Sequence, residues 1–131
     1  MNRDTILRII RSRVPDPIAV YVFGSTAAGA VHESSDLDLA VLPREPLTPG
    51  ARWDLQQELA AALRSDVDLV DLRSASTVMR FQVVTTGELI HDGDPRERAE
   101  FEMLALSMYA RLNEERREIL EQVRREGRVY A

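Results

Sequence analysis

Five residues define the chemistry open to this 131-residue chain: Gly24, Ser25, Asp36, Asp38 and Asp68. Gly24-Ser25 closes an apolar run, and ten residues later comes Asp36-Leu37-Asp38. On a strand, alternate side chains leave from one face, so Asp36 and Asp38 point the same way and Leu37 and Leu39 point into a core. Two carboxylates on one face repel each other unless a cation sits between them. Oxygen ligands in a chain without cysteine suit Mg²⁺ or Mn²⁺ and not a soft metal. Asp68, near the start of a later apolar run, can add a third carboxylate around one or two ions. That set fits in-line phosphoryl or nucleotidyl transfer. A Gly-Ser pair after a buried strand offers backbone N–H groups and a hydroxyl to phosphate oxygens, and Gly24 lets the backbone come close.

Each piece has a plainer reading. Asp-x-Asp alone also occurs in turns and caps, and Gly-Ser after a strand is commoner still. Their combination at this spacing, with an Asp-bearing strand to follow, is far more specific. Asp66 and Asp71 compete with Asp68 for the third place. By parity Asp66 shares its face and Asp71 takes the other, so Asp68 is preferred, Asp66 is the alternative and Asp71 reads as a helix or turn cap. His32 and His91 are the only histidines, and neither has a second histidine nearby to make a metal site.

Alternating strands and helices must position these residues. Residues 5–14 place Ile6, Ile9, Ile10 and Val14 at helical spacing and end at Pro15. Residues 18–23 (IAVYVF) predict a strand buried on both faces. Residues 26–30 could form a short helix, and residues 37–42 a second strand. Thr48-Pro49 reads as a cap and first turn of a helix reaching about Ser65. Residues 67–72 (VDLVDL) predict a third strand. Ser76 caps a helix that stops at Gly87, Leu89-Ile90 suggests a short edge strand, and Asp94-Pro95 opens a long C-terminal helix. Met79, Phe81, Met103, Met108 and Trp53, at helical spacing, are expected in the core. From Arg111 to Arg128 the chain carries six Arg and five Glu. This segment is either a solvated helical tail with i,i+4 pairs or an arm that packs on a partner. The pattern implies an α/β or α+β layer fold in one domain, residues 1–131, with residues 95–128 as a helical arm.

Composition narrows the rest. Seventeen basic residues against twenty-two acidic ones give a net charge of −5, a poor footprint for direct nucleic-acid binding. All seventeen are Arg, so no lysine nucleophile or P-loop lysine exists. Cysteine is absent, which removes disulfides and thiolate chemistry. No apolar run nears the roughly 20 residues of a membrane span, and no signal-peptide core follows Met1. A soluble cytoplasmic protein is expected.

The pattern Gly24-Ser25-x10-Asp36-x-Asp38, with Asp68 on a following strand, resembles the minimal nucleotidyltransferase (MNT) branch of the DNA polymerase β-like superfamily. Residues 67–72, 76–84 and 87–91 and the helical tail are similar to MNT antitoxins that pair with HEPN-domain toxins. The resemblance covers nearly the whole chain. It implies a nucleotidyltransferase fold: a small mixed β-sheet backed by helices, with a long C-terminal helix. It also implies ATP as substrate, two Mg²⁺ ions, and transfer of AMP to a tyrosine hydroxyl of a HEPN ribonuclease toxin within a hetero-oligomer. Carried over residue by residue, Gly24 and Ser25 hold the triphosphate. Asp36 and Asp38 bind the metals, and Asp68 ligates one and helps deprotonate the acceptor. Where relatives often carry Arg at position 28, this chain has Ala28, so a guanidinium clamp on phosphate is missing. Arg44, Arg73 or Arg80 could substitute in space. Two other functions compete: an antitoxin that caps its toxin sterically over an idle site, and a small-molecule nucleotidyltransferase. The latter usually needs an extra helical domain to hold its acceptor.

Overall fold

The computed structural model describes residues 1–24 and 36–127; Ser25, His32 and the small segment 26–30 lie outside them. Helix α1 (Arg3–Arg13) is followed by strands β1 (Ala19–Phe23) and β2 (Leu37–Leu42), helix α2 (Pro49–Leu63) and strand β3 (Val67–Asp71). Helix α3 (Thr77–Thr86), strand β4 (Glu88–Asp92) and helix α4 (Pro95–Glu126) complete the described chain. The strands lie in the order β3-β2-β1-β4. β1 runs antiparallel to both neighbours, and β2 runs parallel to β3, so the sheet is mixed.

Side chains cap the first turns of these helices, three of them where the sequence predicts. The Asn2 side chain accepts from Thr5 N, Thr48 from Ala51 N, Ser76 from Met79 N and Asp94 from Glu97 N, each satisfying an orphan donor of a first turn. The Asn2 cap starts α1 two residues before the predicted position, at Arg3. Val14 is extended, as the residue before a proline must be. β3 stops at Asp71, one residue short of expectation, although Leu72 N still donates to Val41 O at 3.0 Å.

Helices cover both faces of the sheet. On one face Val20, Val22, Leu39, Val41 and Leu69 pack against Ile6, Ile9 and Ile10 of α1 and Leu55 and Leu59 of α2. On the other, Tyr21, Phe23, Ala40 and Leu42 pack with Val83 of α3 and Phe101 of α4. All five residues of β1 are buried, which is why that strand reads as an unbroken apolar run. The open edge of β3 is closed by side chains. Gln56 Oε1 accepts from Leu69 N at 2.9 Å, and the Arg52 guanidinium donates to Leu69 O at 3.2 Å and to Gln56 Oε1 at 3.1 Å.

Three expected core residues are not in the core. Trp53, Met103 and Met108 are exposed, Met103 by 70 %. Their helices offer an apolar residue on more than the core-facing stripe, so helical spacing alone did not select the buried ones. Met79 does pack on the core, and Phe81 stacks on Tyr109 with ring centroids 3.7 Å apart.

Candidate active site

The sheet carries the acidic residues to one end. β1 finishes at Phe23 opposite Asp38, so Gly24 emerges beside the start of β2. In the parallel pair, Asp38 lies in register with Asp68, and adjacent strands are about 4.8 Å apart. Asp38 shares its sheet face with Ala40 and Leu42, and Asp68 shares it with Val70. All of these belong to the side covered by α3 and α4. Asp36 precedes β2 at the same end.

Electrostatics tie the three carboxylates together. The Asp38 carboxyl is held above its ordinary value, first by burial and then by the negative charges of Asp68 and Asp36. Asp68 and Asp36 themselves are exposed. Gly24 adopts φ +71°, a left-handed conformation that favours glycine, and a Cβ there would collide with Asp38 Oδ2 and stand 3.0 Å from Asp38 Cγ. The glycine is therefore required by the carboxylate beside it as well as by any approaching phosphate. That contact was missed in the sequence; pairing the two predicted strands as a hairpin would have brought residue 24 to the start of β2.

Of the two rivals of Asp68, Asp71 falls away from this cluster and Asp66 stays at its end of the sheet. Asp71 is buried and accepts from Leu47 N at 2.8 Å and Arg73 N at 2.9 Å, the turn-capping role its parity suggested. Asp66 is exposed ahead of β3, and its carbonyl accepts from Leu37 N at 2.9 Å. His91, on β4, lies 3.0 Å from an Arg11 guanidinium nitrogen.

None of the three arginines considered as phosphate clamps reaches the acidic end. Arg44 pairs with Asp16 at 3.0 Å and Asp94 at 2.9 Å. Arg73 donates to Pro43 O, and Arg80 donates to Leu72 O and Arg73 O and lies over the Phe101 ring. Pro43, Leu72 and Arg73 follow the ends of β2 and β3, roughly 13 Å of strand away from Asp38.

The donor set fits a hard divalent cation: oxygen ligands only, with a mutual repulsion that a cation would cancel. The side chains do not stand as a closed cage, since among the described residues no three Asp, Glu or His groups meet metal-holding spacing. No described helix is long and apolar enough to cross a membrane.

A mixed sheet with paired aspartates beside a strand-terminating glycine defines a nucleotidyltransferase. Residues 4–96 match the polymerase beta nucleotidyltransferase family, and the chain belongs to it. It is 45% identical to protein adenylyltransferase MntA of Shewanella oneidensis over 123 residues, 94% of this chain and 88% of that one. Among solved structures, it superposes with a TM-score of 0.86 on a toxin–antitoxin crystallised with AMP-PNP, at 45% identity over 94% of this chain and 98% of the other. It also superposes on the complex of the tri-AMPylated Shewanella oneidensis HEPN toxin with its MNT antitoxin, at a TM-score of 0.78 and 42% identity, covering 92% of this chain and 94% of that one.

Proposed function

We propose that this chain is a single-domain antitoxin that transfers AMP from ATP to a tyrosine hydroxyl of a partner HEPN ribonuclease toxin and so silences it. The observation that carries the reading is the extent of the likeness to an adenylyltransferase antitoxin, which runs over 94% of the chain and includes the strands bearing Asp38 and Asp68.

In this reading Gly24 and Ser25 cradle the triphosphate, and Asp36, Asp38 and Asp68 hold two Mg²⁺ ions. The ions supply charge neutralisation on the phosphates and lower the pKa of the acceptor hydroxyl. Deprotonation needs that help, because a tyrosine hydroxyl has a pKa near 10. Asp68, exposed to an incoming acceptor, takes the proton. The tyrosine oxygen attacks the α-phosphorus, the bond from that phosphorus to the bridging oxygen breaks, and pyrophosphate leaves. The α3/α4 side of the sheet admits the acceptor, since both Asp38 and Asp68 face that way. ATP supply assigns the reaction to the cytoplasm.

A second reading, steric capping over an idle site, is favoured by one observation: Arg44, Arg73 and Arg80 are committed to the far end, so none of the three replaces the arginine missing at position 28. One assay separates the two. The chain is incubated with ATP, Mg²⁺ and the HEPN protein encoded beside it, and the toxin is weighed intact. Increments of AMP on the toxin are expected. An inactive toxin of unchanged mass in a stable complex would establish capping, and modification of free aminoglycosides would point to a small-molecule enzyme.

A further inference from the structure

The turn 64–66, which carries the chain from α2 into β3, holds a residue the fold does not ask for. Arg64 caps the end of α2 with φ 52° and ψ 42°, a left-handed conformation. Its N–H and that of Ser65 both donate to Ala60 O, closing a helix end of the kind glycine usually occupies. An arginine in that place costs stability relative to glycine, because its Cβ crowds the backbone. Nothing in the described fold offsets the cost. The Arg64 side chain is exposed, and among the described residues no carboxylate or carbonyl takes its guanidinium. Arg3, which also stands at this end of the sheet, is by contrast taken up by Glu88 at the start of β4.

That turn lies at the acidic end. Asp66 O accepts from Leu37 N at 2.9 Å, the residue between Asp36 and Asp38, and Arg64 stands two residues before Asp66, within about 7 Å of it. It arrives from the side opposite to the carboxylates. α2 covers the sheet face of Val22, Leu39 and Leu69, whereas Asp38 and Asp68 take the face under α3 and α4. An in-line transfer puts the entering and leaving oxygens on opposite sides of the phosphorus. With the acceptor arriving on the α3/α4 side, pyrophosphate departs toward the α2 side, where Arg64 is. Asp36, Asp38, Asp66 and Asp68 already crowd this end, and a triphosphate adds further negative charge to it. We propose that Arg64 holds the β- and γ-phosphates of ATP and stabilises the charge that develops on pyrophosphate as it leaves. The inference rests on the transfer reading given above. A planar guanidinium donating to two phosphate oxygens suits this role, which a helix cap by itself does not require. Backbone strain kept at a cost in stability is a feature of working sites.

Arg64→Gly tests it, because fold and function should move in opposite directions. Glycine suits the left-handed cap, so the melting temperature of the full chain should rise. Titration of the same chain with AMP-PNP and Mg²⁺ should show an affinity about 10-fold or more below the wild-type value, the scale of losing one charge-assisted hydrogen bond. With the HEPN protein encoded beside it as acceptor, kcat/KM for ATP, followed by intact mass, should fall by at least as much, since the leaving group carries its new charge in the transition state. Arg64→Asn, which also tolerates the left-handed backbone, should behave as the glycine variant does. Arg64→Lys, which keeps the charge without the fork, should recover part of the loss. AMP-PNP affinity and transfer at wild-type values in the Gly and Asn variants overturn the proposal and leave the transfer reading standing. Weakened toxin binding with AMP-PNP affinity intact would make Arg64 a partner contact and end the proposal too. AMP-PNP affinity lost with Arg64, but no AMP ever added to the toxin by the wild type, would sustain the phosphate contact and sink the transfer reading. A wild-type chain that binds no AMP-PNP overturns both.

Discussion

At one end of the sheet Asp38 stands in register with Asp68, its carboxyl pushed up by burial and by two neighbouring negative charges, and no arginine among the described residues is bonded to either. At the other end a more deeply buried carboxylate is treated in the opposite way. Asp71 accepts two backbone N–H groups, and around it Arg44, Arg73, Arg80 and Arg98 spend their donors on Asp16, Asp94, Asp92, Glu102 and four carbonyls. Both ends are built from Asp and loop residues after strands. What differs is compensation: charges satisfied by the protein hold the fold, and charges left facing each other are available to a ligand. The direction of the Asp38 shift therefore supports the proposal that the acidic end holds the site more than the count of carboxylates does.

The comparison breaks most visibly at Asp38. Asp36→Asn combined with Asp38→Asn is expected to cut AMP transfer by on the order of 10³-fold, the scale of removing preorganised charge at a reacting centre. Its metal-free melting temperature should hold or rise, because a repulsion is removed. Normal transfer by this variant, read by intact mass, would show that the acidic end is not the site. Gly24→Ala comes next. The strained left-handed backbone and the collision with Asp38 should cost about 1–2 kcal/mol of stability, and transfer should fall by roughly 10²-fold, as a small misplacement of a reacting group does. A Gly24→Ala variant with full activity would mean that Asp38 can move without consequence.

At the far end the expectations reverse. Asp71→Ala leaves Leu47 N and Arg73 N without their acceptor and should lower stability by about 2–3 kcal/mol in a denaturant titration. Below its melting temperature the variant should still transfer AMP. A variant that keeps its stability but loses transfer would erase the distinction between the two ends. The smallest effect is in pH. A carboxyl whose pKa is raised on folding favours the folded state when protonated, and that contribution is lost as pH rises through the folded value. Without metal, the wild type should gain stability relative to Asp38→Asn on acidification from neutral pH toward the carboxylate range. Parallel melting curves for the two across that interval would deny the repulsion.

Much of this was legible in the residues. The caps at Thr48, Ser76 and Asp94, each with its proline or glycine punctuation, predicted three helix starts because a side-chain oxygen meeting a free N–H is a local event. The double-sided burial of β1 and the facing of Asp38 followed from period-two alternation. The parity argument also separated Asp71 from Asp68, and the structure gives Asp71 the capping role. What the sequence could not supply was anything dependent on which elements meet. The exposure of Trp53, Met103 and Met108, the commitment of Arg44, Arg73 and Arg80, and the collision that requires Gly24 all arise from pairings between distant segments, which no local pattern encodes.

The Gln56 and Arg52 side chains that occupy the backbone of Leu69 have a consequence for the free chain. The strand bearing Asp68 is denied to any β-hairpin or extended peptide that would zip alongside it. Free copies of the chain therefore find no open backbone template at Leu69 on which to stack into fibres.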